Sequence, residues 1–150
     1  MDIAIDFDGT CVTHEFPNVG KDIGAQKVLK MLVEKGHNLI LYTMRSDHRG
    51  EEVKSPEFPG VFGGNYLTDA INWFKDNNIP LYGIQKNPTQ DNWTTSPKCY
   101  AQLYIDDAAL GCPLKQDYIE DDKGLAINFK GRPYVDWNAV ENILKKQGIL

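Results

Sequence analysis

Two acidic sites attract attention first. Asp6 and Asp8 stand two positions apart at the end of the apolar run Ile3-Ala4-Ile5, and Gly9-Thr10 follows them. Asp106-Asp107 closes a second short run, Leu103-Tyr104-Ile105. Carboxylates gathered in a half-buried place repel each other and lose hydration, so such a group calls for a cation. Hard oxygen ligands suit Mg²⁺. An ordinary strand followed by an Asp-rich turn uses the same residues, because Asp and Gly are common turn formers. Between the acidic sites lie Thr43-Met44-Arg45, after Leu39-Ile40-Leu41-Tyr42, and then Lys98. A hydroxyl and backbone N–H groups at a strand-to-helix turn can grip a phosphate oxygen, and an Arg can add a charge-assisted bond. A helix-capping Thr and a surface Arg are the alternative uses.

These residues are useful only if the chain brings them together. The run before Asp6 has no polar alternation, which suits a strand buried on both faces of a parallel sheet. A helix is expected over 22–35, with Ala25, Val28, Leu29 and Leu32 on one face, Asp22 as N-cap and Gly36 as stop. A strand over 38–42 follows. This strand-helix-strand unit implies a parallel, right-handed crossover that carries Thr43 to the same sheet edge as Asp6. A second helix is expected over 66–77, carrying Leu67, Ala70, Ile71 and Phe74. Further strands are expected over 81–84, 101–105 and 125–129. Lys130-Gly131-Arg132-Pro133 reads as a turn, and Asp136 caps a final helix. Residues 47–65 and 87–97 read as irregular loops. The first is a candidate cover for the site, a subunit contact or a surface loop. In the second, Trp93 is expected as a partly buried anchor. His14 and Glu15 read as solvated loop residues, with substrate contact as the alternative. The acidic stretch Asp117, Glu120, Asp121 and Asp122 reads as solvated surface.

The bulk properties set limits. A chain of 150 residues suits one domain with a real core. The apolar fraction of 41% and charged fraction of 25% are those of a globular protein. A net charge of -5 argues against broad, nonspecific nucleic-acid binding, without excluding a local basic patch. No run is long enough to span a membrane, and the N-terminus lacks a signal-type segment. The expected location is therefore cytoplasmic, where Cys11, Cys99 and Cys112 are free thiols.

The stretch Ile3-Ala4-Ile5-Asp6-Phe7-Asp8-Gly9-Thr10 resembles the first motif of the haloacid dehalogenase (HAD) superfamily, whose members are mostly phosphohydrolases. Thr43, Lys98 and Asp106-Asp107 fall in the order of that family's remaining motifs, so the resemblance spans residues 3 to 107. Lys86 is a rival for the motif lysine; Lys98 is preferred because it immediately precedes the acidic strand. The resemblance implies an α/β, three-layer, Rossmann-like fold with a mostly parallel sheet. The 36 residues between Asp6 and Thr43 must also hold a helix, which leaves no room for a cap domain. It further implies a Mg²⁺-dependent phosphomonoesterase. Asp6 would be the nucleophile that forms an aspartyl-phosphate, and Asp8 the acid and later the base. Lys98 would orient Asp6 and offset charge. Thr43, Met44 and Arg45 would hold the phosphoryl group. The metal would be held by Asp6, the Asp8 carbonyl and Asp106, with Asp107 close by. The substrate would be a phosphorylated metabolite, a nucleotide or a nucleic-acid end, and a homo-oligomer could cover the site.

Two other chemistries use similar parts. A receiver-type phospho-acceptor domain also joins an acidic cluster, a Thr and a Lys, but its paired acids come on the first strand, and here they come late. A dehalogenase needs no acid at the position of Asp8.

Overall fold

The apolar run before Asp6 forms the centre of a sheet whose edge carries the acidic residues. The structure, a computed structural model, describes residues 1–47, 52–53, 61–120, 122–124 and 126–150. In chain order its elements are β1 (Asp2–Ile5), α1 (Ala25–Glu34), β2 (Asn38–Leu41), two-residue strands β3 (Glu52–Val53) and β4 (Val61–Phe62), and α2 (Tyr66–Asp76). Then come β5 (Gly83–Ile84), a 3-10 turn (Gln90–Asn92), β6 (Leu103–Ile105), β7 (Leu114–Glu120), β8 (Ala126–Val135) and α3 (Trp137–Lys146).

The main sheet has the order β5-β2-β1-β6, and all its pairings are parallel. Ile5 lies level with Leu41 on one side and Ile105 on the other. The ladder continues one step further, through Asp6 N to Ile105 O (3.0 Å) and Tyr42 N to Ile5 O (2.8 Å). Asp6, Thr43 and Asp106 thus leave three neighbouring strands at one C-terminal edge. This is the Rossmann-like α/β arrangement that alternating strands and helices imply.

Alternation divides the sheet's two faces. Ile3, Ile5, Leu39, Leu41 and Ile105 join one cluster with Val28, Leu29 and Leu32 of α1, Ala70 and Phe74 of α2, and Trp137, Val140 and Leu144 of α3. Ala4 and Ile40, equally buried, point to the opposite face. There the third layer is not a helix but the segment from Lys86 to Tyr100. It is organised by two buried amides. Gln90 accepts from the N–H groups of Asn87 and Tyr100 and donates to the carbonyls of Ser96 and Lys98. Asn87 donates to Asp2 and to the Tyr100 carbonyl. Trp93, expected as the anchor, is 61% exposed and only meets the edge of Tyr100.

Several expected boundaries shift. Helix α1 is capped by Gly24 rather than Asp22; Gly24 has φ 95, and Asp22 instead accepts the Gly24 N–H. Asp136 caps α3 through Asn138 N and Ala139 N, as expected. The lone strand over 125–129 is one arm of an antiparallel hairpin, β7–β8. The presumed turn at Lys130–Pro133 lies inside β8. Asp117 is exposed, as expected, and from β7 it accepts the Tyr134 hydroxyl. Much of 47–65 lies outside the described residues, so the subunit-contact reading of that stretch does too. Its described parts pair β3 with β4, and Asp47 accepts both the N–H and the hydroxyl of Thr68 in the first turn of α2. Among the described residues no helix is long and apolar enough to cross a membrane.

Candidate functional site

Carboxylate oxygens of Asp6, Asp106 and Asp107 all lie within 4.8 Å of one another, and all three residues are half-buried. Thr10 holds the two contributing loops together. Its buried hydroxyl donates to Asp6 Oδ2 (3.2 Å) and accepts from Asp107 N (3.0 Å). Its carbonyl accepts the Trp137 indole N–H at 2.7 Å, which ties this turn to α3. Burial pushes the Asp6 carboxyl up from 3.8 to about 7, and the charges of Asp106 and Asp107 add to that; bonds from Phe7 N–H and Thr10 oppose it. Asp107 is also raised, first by burial and also by Asp106, against the opposing charges of His14 and Arg132. Two carboxyls so raised, with a third beside them, form a site that a divalent cation relieves.

His14 was read as a solvated loop residue, and the structure corrects this. Its Nε2 lies 3.2 Å from Asp107 Oδ2 and 3.1 Å from the Pro133 carbonyl. Both partners accept, so Nε2 carries the proton. The ring packs over Gly9, where a Cβ would stand 2.1 Å from His14 Nε2 and 2.9 Å from Asp107 Cγ. Gly9 also has φ 82, which a side chain disfavours. Glycine at this point lets the first loop pass beneath both groups.

Asp8 leaves the cluster and faces Arg45. Arg45 Nε donates to Asp8 Oδ2 and Nη2 to Asp8 Oδ1, both at 2.7 Å. The remaining N–H groups go to the carbonyls of Asn18 (2.7 Å), Pro17 (3.4 Å) and Tyr66 (3.4 Å). All five guanidinium donors are used. The group is buried between the rings of Phe7 and Phe16. Arg45 therefore positions Asp8 and ties the 8–18 loop to α2, and in this arrangement it offers no donor to a ligand.

Thr43 lies where the resemblance put it. Its hydroxyl accepts from Arg45 N at 3.2 Å, which leaves its proton to donate elsewhere. Gln85, at the end of β5, clamps this turn: its side chain accepts from Thr43 N and donates to the carbonyls of Thr43 and Arg45. Met44 is 97% exposed. Lys98 is exposed, and its ammonium rests over the Tyr104 ring, 5.6 Å from the centroid. Among the described residues it makes no ion pair. The rival, Lys86, is paired with Asp91.

The structure thus gathers Asp6, Asp106 and Asp107, brings Thr43 out at the same edge, commits Arg45 to Asp8, and leaves Met44 and Lys98 exposed. Thr10, His14, Gln85 and Arg132 are added. Of these, Thr10 carried a signal within the first motif; His14 reads as a loop residue and Arg132 as part of a turn, and their partners are far away in sequence.

No family model and no curated protein matches the chain. Among solved structures, the chain is similar to one described as the conserved protein coded by a locus from Bacteroides thetaiotaomicron. The identity is 28%, the TM-score 0.66, and the match covers 98% of this chain and 91% of the other.

Proposed function

We propose that this protein is a Mg²⁺-dependent phosphomonoesterase of HAD type that works through a phosphate on Asp6. The observation that carries the reading is the trio of carboxylates within 4.8 Å at the edge where Thr43 also emerges. The HAD-like order of motifs supports it. The donor set suits a small hard cation, with Asp6, Asp106 and the Asp8 carbonyl as ligands and Asp107 next to them. When bound, Mg²⁺ offsets the charge between a carboxylate and a phosphate monoester.

The chain's own residues divide the remaining work. Asp6 is the nucleophile: one oxygen forms a bond to phosphorus while the leaving oxygen departs. The Thr43 hydroxyl, with the Met44 N–H beside it, holds phosphoryl oxygens. Arg45 holds the Asp8 carboxylate in one direction and uses one lone pair on each oxygen. The others are free to hold a proton: the Asp8 carboxyl must carry one into the first step to give to the leaving oxygen, and it takes one back from the attacking water. His14 and Thr10 hold Asp107 and Asp6 in place.

Rapid mixing with an activated aryl phosphate, followed by acid quench and mass analysis, tests this. Asp6→Asn forms no covalent phosphate. Asp8→Asn accumulates phosphate on Asp6, because losing the base slows its hydrolysis by roughly a hundredfold or more. Phosphate found on Asp106 or Asp107 rejects this assignment. A stable phosphate on the parent, lasting many minutes, favours the phospho-acceptor reading.

A further inference from the structure

The β7–β8 hairpin departs from regular pairing where it passes the carboxylates. Lys115 pairs with Tyr134 and Asp117 with Lys130, so Gln116 alone faces Gly131, Arg132 and Pro133. Gly131 has φ 73, a conformation that costs glycine little. Pro133 has no N–H to give to the ladder. Gln116 Nε2 donates to the Gly131 carbonyl at 2.6 Å, which fixes the bulge from the other arm. Bulges re-aim side chains and are over-represented beside active sites.

This bulge is fastened directly to the candidate site. Val135 N donates to the Gly9 carbonyl at 2.8 Å. The Pro133 carbonyl meets His14 Nε2 at 3.1 Å, and that nitrogen is 3.2 Å from Asp107. Arg132 is the next residue, exposed on the same bulge, and its positive charge acts on the Asp107 carboxylate. The other cations considered are committed. Arg45 is saturated by Asp8 and three carbonyls, Lys98 lies on Tyr104, and Lys86 is paired with Asp91. A phosphate monoester arriving at three carboxylates needs a cationic side chain as well as a metal. An Arg fork matches two phosphoryl oxygens at once.

We propose that Arg132 is a substrate-binding residue of this site, presented by the Gly131–Pro133 bulge so that its guanidinium takes non-bridging oxygens of the phosphoryl group approaching Asp6. The inference rests on the phosphohydrolase reading and deepens it: the hairpin supplies the phosphate site with a cationic side chain.

The test compares the parent, Arg132→Gln and Arg132→Lys in the full chain with Mg²⁺. Inorganic phosphate binding is measured by titration calorimetry, and KM and kcat are measured with an aryl phosphate. Thermal melting checks folding; if Arg132→Gln fails to fold, Arg132→Lys carries the same comparison. A lost charged hydrogen bond predicts about a tenfold or greater weakening of phosphate binding and a matching rise in KM in Arg132→Gln. The change in kcat should be smaller, and Arg132→Lys should recover part of the loss. Unchanged phosphate binding and KM in a parent that does hydrolyse phosphate overturns the role of Arg132 and leaves the phosphohydrolase reading standing. A parent that neither binds phosphate nor hydrolyses any phosphomonoester overturns that reading, and this inference with it.

Discussion

Asp6 is held where ionisation is costly, and that cost appears in the stability of the metal-free protein. Its carboxyl is raised from 3.8 to about 7 by burial, with Asp106 and Asp107 adding to it. The folded state therefore keeps a proton on Asp6 that the unfolded chain releases above 3.8. Between these values the native state binds more protons, so stability falls as pH rises. The contribution is fully present below about pH 4 and lost by about pH 7, with an upper size of roughly 4 kcal/mol. Urea denaturation in EDTA at a series of pH values should show this decline on top of the contributions of other groups. Asp6→Asn should flatten it and stabilise the metal-free protein near neutral pH. A slope identical in parent and variant would mean that Asp6 ionises freely in the fold. At this scale the acids were legible in the sequence, because each ends an apolar run and turn chemistry alone does not require that. His14 and Arg132 were not. Their meaning comes from the fold, which places residues 119 positions apart, His14 and Pro133, in hydrogen-bond contact.

The three helices could be read from the 3.6-residue spacing of their apolar positions, and the main strands from runs without polar alternation. The β7–β8 hairpin could not be read in full. Its Gly131 and Pro133 look like turn residues, and they are used instead inside a strand as a bulge. Residues 86–100 form the irregular loop that their lack of periodicity implies, but Trp93, the large apolar group expected to anchor it, is exposed. What orders this segment is hydrogen bonding to Gln90, whose side chain is fully buried and meets two N–H groups and two carbonyls. Gln90→Leu keeps much of the volume and leaves these four backbone groups without partners. Buried groups left unpaired cost about 1–3 kcal/mol each, relieved where water can enter. A loss of roughly 2–4 kcal/mol in chemical denaturation is therefore expected. Mg²⁺ affinity should change little, because the Gln90 network makes no bond to the carboxylate trio and Asn87 beside it is fastened to Asp2, at the other end of β1 from Asp6. A loss below about half a kcal/mol would show that the loop orders itself by other contacts.

For the molecule as a whole, the acidic edge is a place of stored repulsion. Three half-buried carboxylates converge in a chain whose net charge is already -5. The unfolded chain disperses these charges, so a cation that binds the folded trio stabilises the native state alone. At a free Mg²⁺ concentration a hundred times its dissociation constant, that linkage is worth about 2.7 kcal/mol. For a chain of this size it corresponds to a rise in Tm of roughly 5–10 °C. The gain should be largest near pH 8, where Asp6 has released its proton without help. It should shrink toward pH 5, where the metal must displace that proton. General screening of a net-negative protein also stabilises it, so the comparison needs NaCl at matched ionic strength. Calorimetric scans of the parent with EDTA, with Mg²⁺ and with matched NaCl separate the two effects. Asp106→Asn should lose most of the Mg²⁺-specific rise while keeping the response to salt. Equal Tm values in Mg²⁺ and matched NaCl at pH 8 would remove the metal from this edge, and the phosphohydrolase reading would lose its main support.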